Sequence, residues 1–302
     1  ITSLGPHQVE YFTLASLVER RLGQFQASIR DGEKAVELDP QSVSLAVSLA
    51  QTYSGLRRFL EAERVADAAL ERMGGAKPVG IMLVKNEAAI GMGNIEKARA
   101  TLDSVDDKTQ MDYQVARLSL YLFERDYPGA KAVAAQATQV AKKMPDFWLT
   151  LGAVAHIAGK LDEEKEANEE AKRLALAALG PRPNDSNALG QLAVAEAGLG
   201  QNEEALRHAR QAVEILPPSV DAVLGPGCGM RLAQVLVMTR NRDGAFDELR
   251  KVVKWPFSGI NYGELKFSPM WDDLRQDPSF ERVLTESALP LLSDTEVSSA
   301  AH

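Results

Sequence analysis

The side chains that could do chemistry in this sequence are few, and their spacing does not fit a catalytic or metal-binding site. The four histidines are His7, His156, His208 and His302. None lies in an H-E-x-x-H pattern, and none has an acidic residue at the spacing that a metal ligand or a general base would need. We therefore expect His208 and His302 to be solvated surface residues.

The single cysteine and the glycines around it also lack the features of a reactive site. Cys228 cannot form an internal disulfide or a cysteine-based zinc cluster, and no histidine or other base follows or precedes it closely. Gly225, Gly227 and Gly229 superficially match a phosphate-binding loop, but Pro226 interrupts them, no strand precedes them and no lysine follows. We predict that this chain has no catalytic residue, metal site or cofactor.

Composition excludes two further classes of function. The 302 residues include 34 Lys and Arg against 42 Asp and Glu, a net charge of −8, whereas nucleic-acid binding needs a basic face. No window approaches 18 consecutive apolar residues, so we expect no membrane insertion. The compartment stays open between cytoplasm and periplasm. Because the chain begins at Ile1 without a signal-peptide pattern, we expect a piece of a longer protein or a processed form.

An internal repeat dominates the sequence. The stretch "LGQFQASIRDGEKAVELDP" at 22–40 returns as "LGQNEEALRHARQAVEILP" at 199–217, with eight identical positions. Related turn motifs follow a similar period, and a mostly small residue stands three positions after each motif. These residues are Ser28, Ala62, Ala98, Ala130, Glu164, Ala205 and Ala245.

This pattern predicts pairs of closely packed helices. Small residues let two antiparallel helices approach, and Leu, Tyr and Phe fill the space between them. Gly or Asn in the turn would tolerate the left-handed backbone that ends the first helix. Pro40 and Pro217 would stop second helices, because proline has no N–H with which to continue them. One such pair cannot bury its apolar face alone, whereas stacked pairs share a continuous core.

The period near 34 residues and the order of small, large and turn residues within each unit resemble the tetratricopeptide repeat. The resemblance implies an all-α fold, a right-handed α-solenoid of about seven helix-turn-helix units with a C-terminal helical cap. We expect a lead-in at 1–8, the units at 9–256, capping helices at 257–292 and a disordered tail at 293–302. The units would start near Val9, Val43, Val79, Met111, Pro145, Ser186 and Pro226.

The period is broken in the fifth unit, which has about seven extra residues. Gly180 and Pro181 would end an overlong second helix, and Asp185 or Ser186 would cap the next one. The insertion is either a tolerated surface feature or a hinge or docking ridge.

The sequence changes character after Trp255. In "ELKFSPMWDDLRQDPSFERVL", at 264–284, Ser268 and Asp277 each precede a proline, as an N-cap precedes a first helical position. The apolar residues here would cover the exposed end of the last helix pair. This stretch of sequence also resembles the end of tetratricopeptide regions in bacterial multidomain regulators. The resemblance implies that the chain is the sensory part of a signalling protein such as a serine/threonine kinase.

The resemblance implies that the first helices line a concave groove and that the partner is a protein or peptide. The corresponding groove candidates in this chain are Thr13, Leu17, Val47, Gln51, Leu83, Glu87, Val115, Ser119, Leu149, His156, Gln191, Val194, Met230, Arg231 and Gln234. The Lys and Asn cluster with which some relatives grip heat-shock chaperone termini is absent, which disfavours a co-chaperone role.

The residues that would line the predicted groove favour a peptide with apolar anchor residues as the partner. Two alternatives stay open. Some of the candidate residues could pack between helices instead, and the chain could be a stand-alone scaffold that self-associates.

Overall fold

A computed structural model describes residues 6–291 of the chain. These residues form sixteen α-helices and one 3₁₀ helix, and the described part of the chain contains no β-strand. In order, the helices are α1 (Pro6–Arg21), α2 (Phe25–Leu38), α3 (Val43–Gly55), α4 (Phe59–Arg72), α5 (Val79–Gly91), α6 (Ile95–Asp103), α7 (Met111–Phe123), α8 (Tyr127–Val140), α9 (Pro145–Ile157), α10 (Leu161–Leu179), α11 (Ser186–Gly198), α12 (Asn202–Ile215), α13 (Gly225–Met238), α14 (Arg242–Val252), α15 (Tyr262–Phe267), η1 (Pro269–Leu274) and α16 (Pro278–Ser287).

Helices α1 to α14 form seven pairs, and each pair packs on the next. The small residues of the repeat lie where the paired helices meet. Six of them are completely buried, namely Ser28, Ala62, Ala98, Ala130, Ala205 and Ala245. Glu164 is the exception at this position and stays partly exposed. The all-helical architecture predicted from these residues is therefore confirmed.

The turn inside each pair contains one residue in the left-handed region. Glycine occupies it in four pairs, at Gly23, Gly93, Gly159 and Gly200. Arginine occupies it in the other three, at Arg57, Arg125 and Arg240, with φ of 55°, 62° and 58°. Our prediction that asparagine takes this role was wrong, because Asn94 and Asn241 instead accept backbone N–H bonds at the start of the next helix.

The insertion in the fifth pair lengthens its second helix, as the sequence predicts. Helix α10 has 19 residues and ends at Leu179, with Gly180 as its C-cap. Asp185, rather than Ser186, caps α11: its Oδ1 accepts the backbone N–H of Ala188 at 3.0 Å.

Residues 255–291, which we call the closing segment, do more than cover the last pair. They pack on α13 and α14 through η1 and α16, as expected. They also bond to the turn of the second pair, where Phe257 N–H donates to the carbonyl of Gly55 at 3.1 Å and Leu291 N–H to that of Leu56 at 3.0 Å. The tail at 293–302 lies outside the described residues.

These contacts exist because the array curves back on itself. Just before α13, Ala222 N–H donates to the carbonyl of Arg21 at 2.9 Å, and Asp221 forms an ion pair with the Arg21 side chain. The seventh pair therefore lies beside the turns of the first pairs. The closing segment then joins the two ends of the curve.

Candidate ligand-binding groove

The first helices of the pairs form the inner surface of the curve. Helix α3 contacts α5, α5 contacts α7, α9 contacts α11 and α11 contacts α13. Arg20 of α1, Gln51 of α3 and Glu87 of α5 line one cavity together with Val223, which lies just before α13. The first helices of the first three pairs thus lie close to the segment before α13 across this inner surface, which we call the groove.

Three polar side chains from successive first helices meet on the groove and form the polar cluster. Asp146 of α9 accepts hydrogen bonds from Gln191 Nε2 of α11 at 2.6 Å and from Arg231 Nη2 of α13 at 2.8 Å. The Arg231 side chain crosses directly over Gly190, where a Cβ atom would lie 2.7 Å from Arg231 Cδ. Glycine is therefore needed at 190 for α13 to reach Asp146.

A second feature of the groove is a cavity of about 290 Å³ at the first three pairs. Gln51 and Glu87 form one side, and residues 255–261 of the closing segment form another. The Glu87 side chain is open to the groove, yet the surrounding protein desolvates its carboxylate and raises its pKa to about 7. The closing segment therefore converts this end of the groove into a partly enclosed site.

The other groove candidates divide by their exposure. Leu149, Gln191 and Val194 are buried, so they offer no open surface to a partner. Val47, Leu83 and Met230 are partly buried and pack against core side chains. The remaining candidates that are at least partly exposed to solvent are Thr13, Leu17, Val115, Ser119, His156 and Gln234.

Two histidine–glutamate pairs correct the sequence analysis. His208 Nδ1 lies 2.6 Å from Glu196 Oε2, and the histidine side chain is only 14% exposed rather than solvated. His156 Nδ1 lies 2.9 Å from Glu164 Oε1, but this histidine is 72% exposed. Each pair joins the two helices of one repeat unit. The acidic partners are 12 and 8 residues away along the chain, which is too far for a local motif to indicate them.

The remaining candidates for chemistry are structural. Cys228 is buried, and burial raises the pKa of its thiol, which opposes formation of a reactive thiolate. Gly225, Gly227 and Gly229 lie in the first turns of α13, where Gly229 packs against the Trp255 ring. Within residues 6–291, no three His, Cys, Asp or Glu side chains come together as a metal site would require.

None of the helices in the described part of the chain combines the length and the apolar character needed to cross a membrane.

Comparison with known proteins agrees with this architecture. Residues 144–217 match the tetratricopeptide repeat family. A tetratricopeptide repeat protein from Parabacteroides merdae ATCC 43184 has a similar structure, with a TM-score of 0.52 and 13% identity over 94% of this chain and 100% of that one. A chain of the APC/C hetero-tetramer Cut9-Hcn1 gives a TM-score of 0.54 at 13% identity.

The match to the second structure covers 98% of this chain but only 57% of that one. No curated protein matches the sequence significantly. The described chain is thus an all-helical solenoid with the fold of tetratricopeptide repeat proteins, and the match to that family lies in its residues 144–217.

Proposed function

We propose that this chain is a non-catalytic protein-interaction module that binds a peptide or protein segment in its groove. The observation that carries the proposal is the contact between first helices, from α3 through α5 to α7 and from α9 through α11 to α13, which gives two continuous stretches of inner surface. Repeat solenoids use such concave surfaces for binding because each unit adds a few contacts along the ligand. The fold is one that typically serves as an interaction scaffold rather than as an enzyme.

The groove offers two kinds of contact to a ligand. Asp146 and Arg231 of the polar cluster, together with Gln234, can exchange hydrogen bonds with a peptide backbone, and the exposed Val115 and half-buried Met230 can contact apolar side chains. At the first three pairs, the closing segment narrows the groove. A ligand that follows the groove would therefore lie along α9, α11 and α13 and end at the cavity.

Peptide selection followed by hydrogen exchange tests this proposal. Peptides selected from a display library on the immobilised chain should protect backbone amides of α9, α11 and α13 when they are bound at saturation. A Gln234→Arg variant should weaken binding, whereas an Arg207→Ala variant on α12 should not, because Arg207 is exposed on a second helix. Protection confined to second helices would contradict groove binding.

The place of this module in a cell is a separate proposal. We propose that it is the sensory or scaffolding part of a bacterial signalling protein, on the basis of the resemblance of "SPMWDDLRQDPSF" at 268–280 to the ends of such regions. The natural reading frame around residues 1–302 tests this idea. A kinase, cyclase or winged-helix domain in the same frame would support it, and a frame that encodes none of them would contradict it.

Self-association is the second candidate function, and one surface favours it. Four large apolar side chains, three on α1 and one directly after its end, are each more than half exposed and recur every three or four residues: Tyr11, Leu14, Val18 and Leu22. A contiguous apolar stripe of this kind favours protein contacts.

Light scattering over a range of concentrations should then detect a dimer that Leu14→Glu disrupts. Leu161→Glu serves as a control, because Leu161 is also exposed but lies on α10. A monomer at every concentration would exclude self-association through α1.

A further inference from the structure

The cavity at the first three pairs contains polar groups that have no partner in the described residues. Neither the Glu87 carboxylate nor the Gln51 amide forms a hydrogen bond or an ion pair within residues 6–291. Trp255 also lines the cavity and is 8% exposed, but its indole Nε1 is buried and, like those of the other two tryptophans, has no partner in the described residues, so it does not mark the cavity. The Glu87 and Gln51 side chains are both exposed to the groove, so a ligand that enters the cavity would meet a carboxylate and an amide that no protein group occupies.

The two arginines that line the same cavity are already engaged. Arg20 Nη1 donates to the Ser48 carbonyl at 3.2 Å and to Thr52 Oγ1 at 3.3 Å, and its Nε atom has no partner in the described part of the chain but is buried and closed to a ligand. Arg57 is buried and donates to the carbonyls of Val253, Ile260 and Glu286. Their guanidinium groups therefore hold the protein together, whereas Glu87 is the charged group of the cavity that is free to bind.

The part of the closing segment that lines the cavity contains a residue in a strained conformation. Phe257 has a φ of 58°, a region that bulky residues rarely adopt, and Gly259 follows with a φ of 79°. The Phe257 ring stacks on Phe25 with a centroid distance of 5.8 Å and covers Gly55. This packing compensates for the strain and keeps residues 257–261 at the edge of the cavity.

We propose that this cavity is a subsite for one basic side chain, Arg or Lys, of a peptide bound in the groove. The cationic group would face the Glu87 carboxylate and the Gln51 carbonyl oxygen, and the aliphatic part of the side chain would pass along Phe257 and Trp255. This inference rests on the proposed function and adds the chemistry of one ligand residue to it. The competing occupant is an acidic side chain, because Arg20 and Arg57 place two positive charges nearby.

Small probes distinguish these occupants without a known peptide. We would record the indole ¹⁵N–¹H signals of the three tryptophans while adding Nα-acetyl-L-arginine amide, and then Nα-acetyl-L-glutamate amide. The arginine probe should shift the Trp255 signal in a saturable manner and leave those of Trp148 and Trp271 unchanged, since neither of these lines the cavity. The glutamate probe should shift none of the three.

Variants identify the group that binds. Glu87→Gln keeps the shape of the side chain and should weaken binding of the arginine probe by about 10-fold or more, the loss expected for a charge-assisted hydrogen bond. Glu214→Gln is the matched control, because Glu214 is exposed on α12 and has no partner within the described residues. It should bind the probe as the wild type does.

Three outcomes would overturn the subsite: a Trp255 response to the glutamate probe alone, no response to either probe, or an unchanged affinity in Glu87→Gln. The proposed function could still hold in each case, since peptides that protect α9, α11 and α13 would show that the rest of the groove binds. If no selected peptide protects these helices while the arginine probe still binds, the groove proposal fails and the subsite stands alone.

Discussion

Arg57 and Ile260 are 203 residues apart in the chain, yet the Arg57 guanidinium binds the Ile260 carbonyl oxygen through two nitrogens. Nη2 donates at 2.9 Å and Nε at 3.2 Å, and Arg57 is only 5% exposed. The same guanidinium also donates to the carbonyls of Val253 and Glu286. One side chain in the turn of the second pair therefore binds three backbone carbonyls between residues 253 and 286.

Loss of this guanidinium should destabilise the protein. Arg57→Met keeps an unbranched side chain of similar length but leaves three carbonyls without their charged donor, so we expect the free energy of unfolding to fall by about 2–4 kcal/mol. Urea denaturation measures this change. Hydrogen exchange at the amides of Phe257 and Leu291 should also become faster, because both pair with the turn that contains Arg57.

Arg240→Met is the matched control for this prediction. Arg240 occupies the same position in the turn of the seventh pair with a φ of 58°, but it is exposed and its side chain has no partner within the described residues. Its substitution should change stability by no more than about 0.5 kcal/mol. Equal effects of the two substitutions would show that the turn conformation, and not the contact with the closing segment, determines stability.

The docking of α15 on α5 should depend on Gly263. A Cβ atom at this position would overlap the Ile90 carbonyl oxygen, which is backbone and cannot rotate away. We expect Gly263→Ala to lower the free energy of unfolding by about 1–3 kcal/mol, as overpacking does in other cores.

Gly227→Ala should have the opposite effect on thermal unfolding. Gly227 lies within α13, where no other atom is within 4 Å of the position that a Cβ would occupy. Alanine should therefore stabilise this helix by about 0.5–1 kcal/mol.

A Gly263→Ala protein that is as stable as the wild type would mean that α15 can move off α5 at no cost.

The fold could be predicted from the sequence because it depends on local signals. The residues that specify it, such as Ala62 and Ala205, recur at similar spacing in six of the seven pairs, and each of the six is completely buried. The closure of the array could not be predicted in this way. It depends on Arg57, which occupies a turn position where four of the other units have glycine, and nothing local distinguishes it from the exposed Arg240.

The candidate site was predictable only in part. The repeat register identifies which positions of the first helices face inward, and it includes Gln51, Glu87, Gln191 and Arg231. It does not indicate Asp146, which becomes the acceptor of the polar cluster only when three units stack. Nor does it show that residues 255–261 enclose one end of the groove, because that contact needs the curvature of the whole array.

The buried pair of His208 and Glu196 should contribute to stability. Glu196 is 3% exposed and has Lys172 Nζ at 3.3 Å as its other partner, so His208→Ala would leave a buried carboxylate oxygen without a donor. We expect a loss of about 1–3 kcal/mol in urea denaturation. His156→Ala removes the more exposed equivalent and should change stability by no more than about 0.5 kcal/mol. Similar losses of stability in the two variants would mean that burial does not determine how much such a pair stabilises the protein.

Glu87 should make stability depend on pH in a specific window. Its pKa in the folded protein is raised from 4.5 to about 7 by desolvation, so the folded state holds a proton between these values that the unfolded state has lost. The contribution of this group to stability should therefore decrease as pH rises from 4.5 to 7. Arg20 and Arg57, the other charged groups that line the cavity, stay protonated throughout this window.

Comparison of variants isolates this contribution. The stability of Glu87→Gln relative to wild type should rise across pH 4.5 to 7 and be constant outside it, whereas Glu214→Gln should follow wild type at every pH. Solvent in the groove screens the exposed carboxylate, so the sign of the slope is the quantity to measure by urea denaturation. The same protonation removes the charge that would bind a basic side chain. The affinity for Nα-acetyl-L-arginine amide should therefore fall as pH drops below 7 in the wild type and stay constant in Glu87→Gln. A wild-type affinity that does not change with pH would show that Glu87 does not bind the cation.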